Sequence, residues 1–103
     1  IDYATLGGTS QEVIKAAAVA EAADVPVWIQ MGGVCLGVLA AYSSHVQATI
    51  PNATLPCDEH PFVRVADVLG GGLVLDKGHF ILPEGPGLGV TLDMDVIEEY
   101  RVG

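Results

Sequence analysis

Leu6-Gly7-Gly8-Thr9, then an alanine-rich stretch, then Val25-Pro26-Val27-Trp28-Ile29-Gln30: this run decides the fold. Gly7-Gly8 breaks a strand tail formed by residues 1–6, and Thr9 or Ser10 can cap a helix by accepting a hydrogen bond from an orphan amide of its first turn. Val13, Ala16, Ala17 and Ala20 recur at helical spacing, which predicts one apolar stripe over Ser10–Ala23, with small side chains that allow close approach to a sheet. Asp24-Val25-Pro26 ends that helix. The short β-branched run Val25–Ile29 reads as a strand covered on both faces.

Working outward, Met31-Gly32-Gly33 reads as a loop, Val34–Thr49 as a second, more apolar helix stopped by Pro51-Asn52, and Ala53–Leu55 as a third short strand. Strand–helix–strand–helix–strand implies parallel strands. A βα pitch of about 25 residues suits both an eight-stranded βα barrel and an open doubly wound sheet, so periodicity does not choose between them. The pattern changes at Pro61. Residues 61–69 read as a short helix or a loop, and Gly70-Gly71-Gly72 as a break. Leu73-Val74-Leu75 and His79-Phe80-Ile81-Leu82 flank Asp76-Lys77-Gly78, a hairpin signal because glycine supplies the positive φ of a tight turn. Pro83–Gly89 follows as an ordered Pro/Gly turn, and Asp93 caps a last helix from Met94 to Tyr100.

Composition narrows the function classes. The 103 residues carry 13 acids against 4 bases, a net charge of −9, with 50% hydrophobic residues and a mean hydropathy of +0.47. So acidic a surface repels phosphate, which excludes nucleic acid as an expected partner and argues against an anionic membrane. The opening residues do not read as a signal peptide. Polar Ser43, Ser44, His45 and Gln47 interrupt the apolar stretch 34–50, so no membrane span is expected. Cys35 and Cys57 form neither a CxxC pair nor a disulfide framework. Cys35 reads as a small buried hydrophobe, and this usage points to a reducing, cytoplasmic setting. The high hydropathy of so short a chain predicts apolar surface meant for another domain or the missing part of the same one.

Leu6-Gly7-Gly8 before the first helix, Val25-Pro26-Val27 after it, the Asp76-Lys77-Gly78 hairpin with Leu82-Pro83, and above all Gly85-Pro86-Gly87-Leu88-Gly89-Val90 resemble the C-terminal part of the barrel of the mandelate racemase/muconate lactonizing branch of the enolase superfamily. The resemblance covers essentially the whole chain. It implies an α/β fold, the C-terminal fragment of a (β/α)8 barrel at about strands six to eight. Residues 1–60 would form the last βα units, and 61–103 a closing segment with the hairpin 73–82, the Pro/Gly turn and the terminal helix. Enzymes of that family bind Mg2+ through three carboxylates on earlier strands, carry a lysine on the second, and remove a proton next to a substrate carboxylate. The resemblance therefore implies Mg2+ and a small carboxylate substrate in a full-length dehydratase, epimerase, racemase or cycloisomerase. No cofactor and no catalysis are expected of this fragment alone. The remaining barrel strands and an N-terminal capping domain become expected partners.

By the same resemblance, Asp2, five residues before Gly7, takes the place of a sixth-strand acid that orients a base or touches substrate; the plainer reading is a solvated terminal aspartate. Gln30 stands where some relatives carry a catalytic histidine. An amide cannot exchange a proton near neutral pH, so this departure removes that base; Gln30 either hydrogen-bonds a polar substrate or bonds to loop backbone. Asp58, flanked by Cys57 and Glu59, matches a substrate-facing acid after the eighth strand, against a plain polar loop. The run Cys57-Asp58-Glu59-His60 fits no zinc spacing, and no metal ligand is assigned. His45 and His79 read as structural, and Trp28 as packing. Against the enzymatic reading stands a non-catalytic relative that oligomerises through its open strand edges, which are sticky unless paired.

Overall fold

The structure is a computed structural model and describes residues 3–30, 35–58 and 63–103. It contains β1 (Ala4–Leu6), α1 (Ser10–Ala22), β2 (Val27–Ile29), α2 (Gly37–Ala48), β3 (Leu75–Asp76), β4 (His79–Phe80) and α3 (Met94–Glu99). β1 and β2 pair in parallel, with Ala4 beside Val27 and Leu6 beside Ile29. Two parallel strands require a crossover, and α1 provides it, as the βα spacing predicts.

Local chemistry sets the ends of α1. Thr9 is its N-cap, and a reciprocal bond with Glu12 completes a capping box. At the other end Asp24 N–H donates to Glu21 O and Val25 N–H to Ala20 O, the paired bonds of a Schellman termination. That motif puts Asp24 at φ 56°, a left-handed conformation that glycine adopts at lower cost. Val13 and Ala17 from α1 pack on Val27 and Ile29 of β2 and on Ile50, with Leu6, Ala20, Val46 and Ala53 around them. The alanine stripe thus lets α1 sit close to the sheet.

The third strand expected at Ala53–Leu55 does not form a ladder. One bond marks its place: Val27 N–H donates to Asn52 O at 2.8 Å. Pro51 and Pro56 flank the segment, and proline lacks the amide that a continued ladder needs. Asn52 ties the layers by its side chain instead. Its amide nitrogen donates to Ala17 O and to Val25 O. α2 begins at Gly37, three residues later than the sequence suggests, and its N-cap Leu36 provides no side-chain cap.

In the closing segment the hairpin is shorter than the 73–82 span expected. β3 and β4 form an antiparallel hairpin, with Lys77 at φ 48° and Gly78 at φ 81° in the turn, the two successive positive angles of a type I′ turn. Leu69 and Leu92 form an isolated antiparallel bridge. Gly89 closes the Pro/Gly turn: its N–H donates to Pro86 O, its φ is 68°, and a β-carbon there would lie 2.9 Å from the Pro83 carbonyl. Asp93 caps α3 by accepting from Asp95 N–H and Val96 N–H. Among the described residues no helix is long and apolar enough to cross a membrane.

Candidate functional site

In a parallel α/β sheet the loops after the strands gather at one rim, where ligands bind. Here that rim is built from Leu6-Gly7-Gly8 after β1 and Gln30 after β2. Gln30 N–H donates to Leu6 O at 2.8 Å, extending the ladder by one bond and fixing the first residue after β2. Its side chain lies across Gly7: a β-carbon on Gly7 would stand 3.7 Å from Gln30 Oε1. Gln30 is exposed, so its amide is available to a ligand.

The N-terminus of α1 opens on the same rim. Its positive end is already occupied. Glu12 folds back so that Oε2 accepts from Thr9 N–H at 2.9 Å and from Thr9 Oγ1 at 2.8 Å. These bonds, the backbone one first and the hydroxyl second, hold the Glu12 carboxyl below its ordinary value of 4.5. Gly8 is required beneath it, since a β-carbon there would meet Glu12 Oε2 at 2.9 Å and φ is 115°.

Asp2 lies outside the described residues, as do Glu59 and His60. Asp58 is half-buried on the segment beyond Leu55. Cys57 and Cys35 are half-buried thiols. His45 faces the closing segment rather than the rim, with Nε2 3.2 Å from Leu88 O, and His79 Nδ1 sits 3.2 Å from Lys77 O; both contacts fit structural roles. Trp28 is half-buried within β2. Among the described residues no three His, Cys, Asp or Glu side chains group closely enough to hold a metal ion, so their donor set does not fit Mg2+.

One pair was invisible to motif reading. Arg64 and Asp67 sit in the stretch read only as a short helix or loop, yet they reach back to the loop that follows β2. Asp67 accepts from Gly37 N–H through Oδ1 at 2.9 Å and Oδ2 at 3.1 Å. Arg64 Nε lies 3.1 Å from Asp67 Oδ2, and its Nη1 donates to Cys35 O. The available signal was indirect: a helix starting near Gly37 after Cys35-Leu36 has no local capping residue, so its amides need an acceptor from elsewhere.

Parallel β1–β2 with a crossover helix, a polar rim and a hairpin-plus-Pro/Gly closure define an α/β segment, and comparison with known proteins gives it a family. Residues 1–96 match the enolase C-terminal domain-like family, and the chain belongs to it. It is similar to a D-xylonate dehydratase from Haloferax volcanii, 33% identical over 103 residues, covering 98% of this chain and 24% of that one. It is also similar to a chloromuconate cycloisomerase from Pseudomonas putida, 32% identical, covering 92% of this chain and 25% of the relative. A probable glucarate dehydratase from Streptomyces coelicolor is 40% identical over 60 residues, 58% of this chain and 14% of its own. The crystal structure of an enolase-superfamily member from Listeria innocua superimposes with a TM-score of 0.79 at 26% identity, over 94% of this chain and 26% of that one. The chain thus spans about a quarter or less of the length of the relatives it matches.

Proposed function

We propose that this chain supplies the last βα units, strands six to eight, of an enolase-superfamily barrel, and that the complete enzyme removes the proton α to the carboxylate of a polyhydroxy acid and expels the β-hydroxyl. The supporting observation is the exposed Gln30 amide at the end of β2, laid over Gly7. An amide there can donate to and accept from a substrate hydroxyl, and it cannot serve as the proton-transferring base. That chemistry suits a dehydratase better than a racemase needing a titrating group on this strand. Likeness to dehydratases named for xylonate and glucarate supports the same substrate class.

Charge supports an origin of the catalytic groups outside these residues. Of the four basic side chains, Arg64 faces Asp67, Arg101 faces Glu98, Lys77 lies in the hairpin turn and Lys15 in the middle of α1. None of the four is placed at the rim to neutralise a substrate carboxylate. In this proposal the cation and its carboxylate ligands, together with the catalytic lysine, reside on the earlier barrel strands of a longer, Mg2+-dependent protein, while Asp58 and Asp2 stand as further substrate-side acids.

The test is turnover by the complete gene product containing this segment, with a panel of aldonates and aldarates in D2O. Release of a 2-keto-3-deoxy acid carrying one solvent deuterium at C3, where the enol is protonated as it becomes the ketone, is the expected result. In a Gln30→Ala variant KM should rise by about tenfold, the effect of losing one substrate hydrogen bond, with the same deuterated product still forming. A reading frame that encodes no further barrel strands would overturn the enzymatic reading. The alternative, an oligomerising scaffold, draws on exposed Val19, Val63, Val65 and Val74, and its expected result is a concentration-dependent dimer with no turnover.

A further inference from the structure

We infer that the closing segment, from residue 63 onward, is a strap clasped to one face of α2, which opens as a unit while the βα core stays folded. Two sets of elements hold themselves together. Close packing joins β1, α1, β2 and α2 among themselves, and β3 to β4, with no extensive packing between the elements of the two sets among the described residues. The closing segment is tied internally by backbone bonds: Gly70 N–H donates to Thr91 O, Asp93 N–H to Val68 O and Ile81 N–H to Val74 O. Val74 and Ile81 line a shared groove with Leu69 and Thr91, so the hairpin and the Leu69–Leu92 bridge form one piece.

The contacts that attach this piece follow one line of α2. Gly37, Ala41 and His45 recur every four residues and so share a helix face. At the first, Asp67 accepts from Gly37 N–H through both oxygens, and Arg64 joins that carboxylate to the Cys35 carbonyl. Leu69 sits directly over Gly37, where a β-carbon would meet its side chain at 2.7 Å. At the last, His45 Nε2 lies 3.2 Å from Leu88 O. Leu69, Ala40 and Ala41 are buried yet stand outside the core cluster around Val27. The clasp thus lays one leucine over small side chains and adds polar bonds at its two ends. That is little apolar area against the entropy of ordering the whole segment, which puts its opening at the low end of the chain's local stabilities. A hairpin as short as β3–β4 does not persist alone, so release of the clasp frees its bonds as well.

The test is amide exchange in the 103-residue chain, labelled with 15N, over a series of low urea concentrations. The amides of Gly70, Ile81 and Asp93 should converge on one opening with a common urea dependence, about tenfold or more frequent than the opening that exposes Val27 and Gln30. Asp67→Asn and His45→Ala loosen opposite ends of the clasp. Asp67→Asn should speed exchange at all three strap amides by about tenfold, and His45→Ala by about threefold, while Val27 and Gln30 keep their rates. A merely local cap would speed Gly37 alone, and that result would overturn the proposal. So would three strap amides with separate rates and no shared urea dependence, which is local fraying. Exchange of the three in step with Val27, or global unfolding of either variant, would overturn it too, since the segment would then belong to one cooperative core. No readout requires turnover, so the strap and the enzymatic reading stand or fall separately.

Discussion

Asp24 shows how a single side chain can sit at odds with its backbone. The Schellman termination of α1 needs a left-handed residue, and Asp24 takes it at φ 56° while adding a negative charge at the negative end of a helix. Asp24→Gly should therefore stabilise the chain by about 0.5–1 kcal/mol, read as a higher urea midpoint at unchanged slope. Gly37 is the opposite case. Gly37→Ala pushes a β-carbon into Leu69 and Asp67 and should cost about 1–3 kcal/mol in the same measurement. Glu12 carries a pH signature. Its carboxyl titrates below 4.5 in the folded chain because Thr9 donates to it twice. A lowered folded value means the capping-box contribution is complete above the ordinary glutamate range and is lost as pH falls through the lowered one. In a Thr9→Ala variant the Glu12 side-chain carbon should titrate closer to the ordinary value by NMR.

Elements with a local cause are legible in the sequence alone. α1 follows from its alanine spacing and Thr9, the β3–β4 hairpin from Asp76-Lys77-Gly78, and the α3 cap from Asp93, because each is specified by neighbours a few residues apart. The hairpin turn is the place to check this. Gly78→Ala, forced to φ 81°, should destabilise the hairpin by about 1 kcal/mol or more, visible as lost protection of Ile81 N–H, which donates to Val74 O. The expected third strand fails for a physical reason: its position in the βα alternation favours extension at Ala53–Leu55, but the flanking prolines leave too few amides for a ladder. The start of α2 is hidden from the sequence because its cap arrives from Asp67, and no local pattern announces an acceptor so distant along the chain.

For the molecule as a whole, the core is small. Val27 is the single large side chain fully removed from water among the described residues, and the radius of gyration, 14.9 Å, exceeds the about 13 Å of a compact chain of this length. Val27→Ala deletes two buried methyl groups and should cost about 2 kcal/mol. In so lean a core that is a large share of the total stability and should abolish a cooperative thermal transition. Exposed Val65, Val102 and Val19, together with the outer edge of β1, are surfaces that another part of a longer protein or a second copy would cover. The net charge of −9 opposes self-association at low ionic strength, so any dimer should strengthen with added salt in light scattering.

By itself the sequence determined the parallel βα unit, the hairpin, the caps of α1 and α3 and the enolase-superfamily membership, since these depend on periodicity, turn chemistry and motifs short enough to read along the chain. Only the tertiary structure decided that Gln30 lies across Gly7 and that Arg64 and Asp67 return to hold Cys35 and Gly37. Those facts are set by side-chain placement and by contacts between residues far apart in the chain, whose meeting depends on how α1 and α2 pack beside the sheet and not on any local preference.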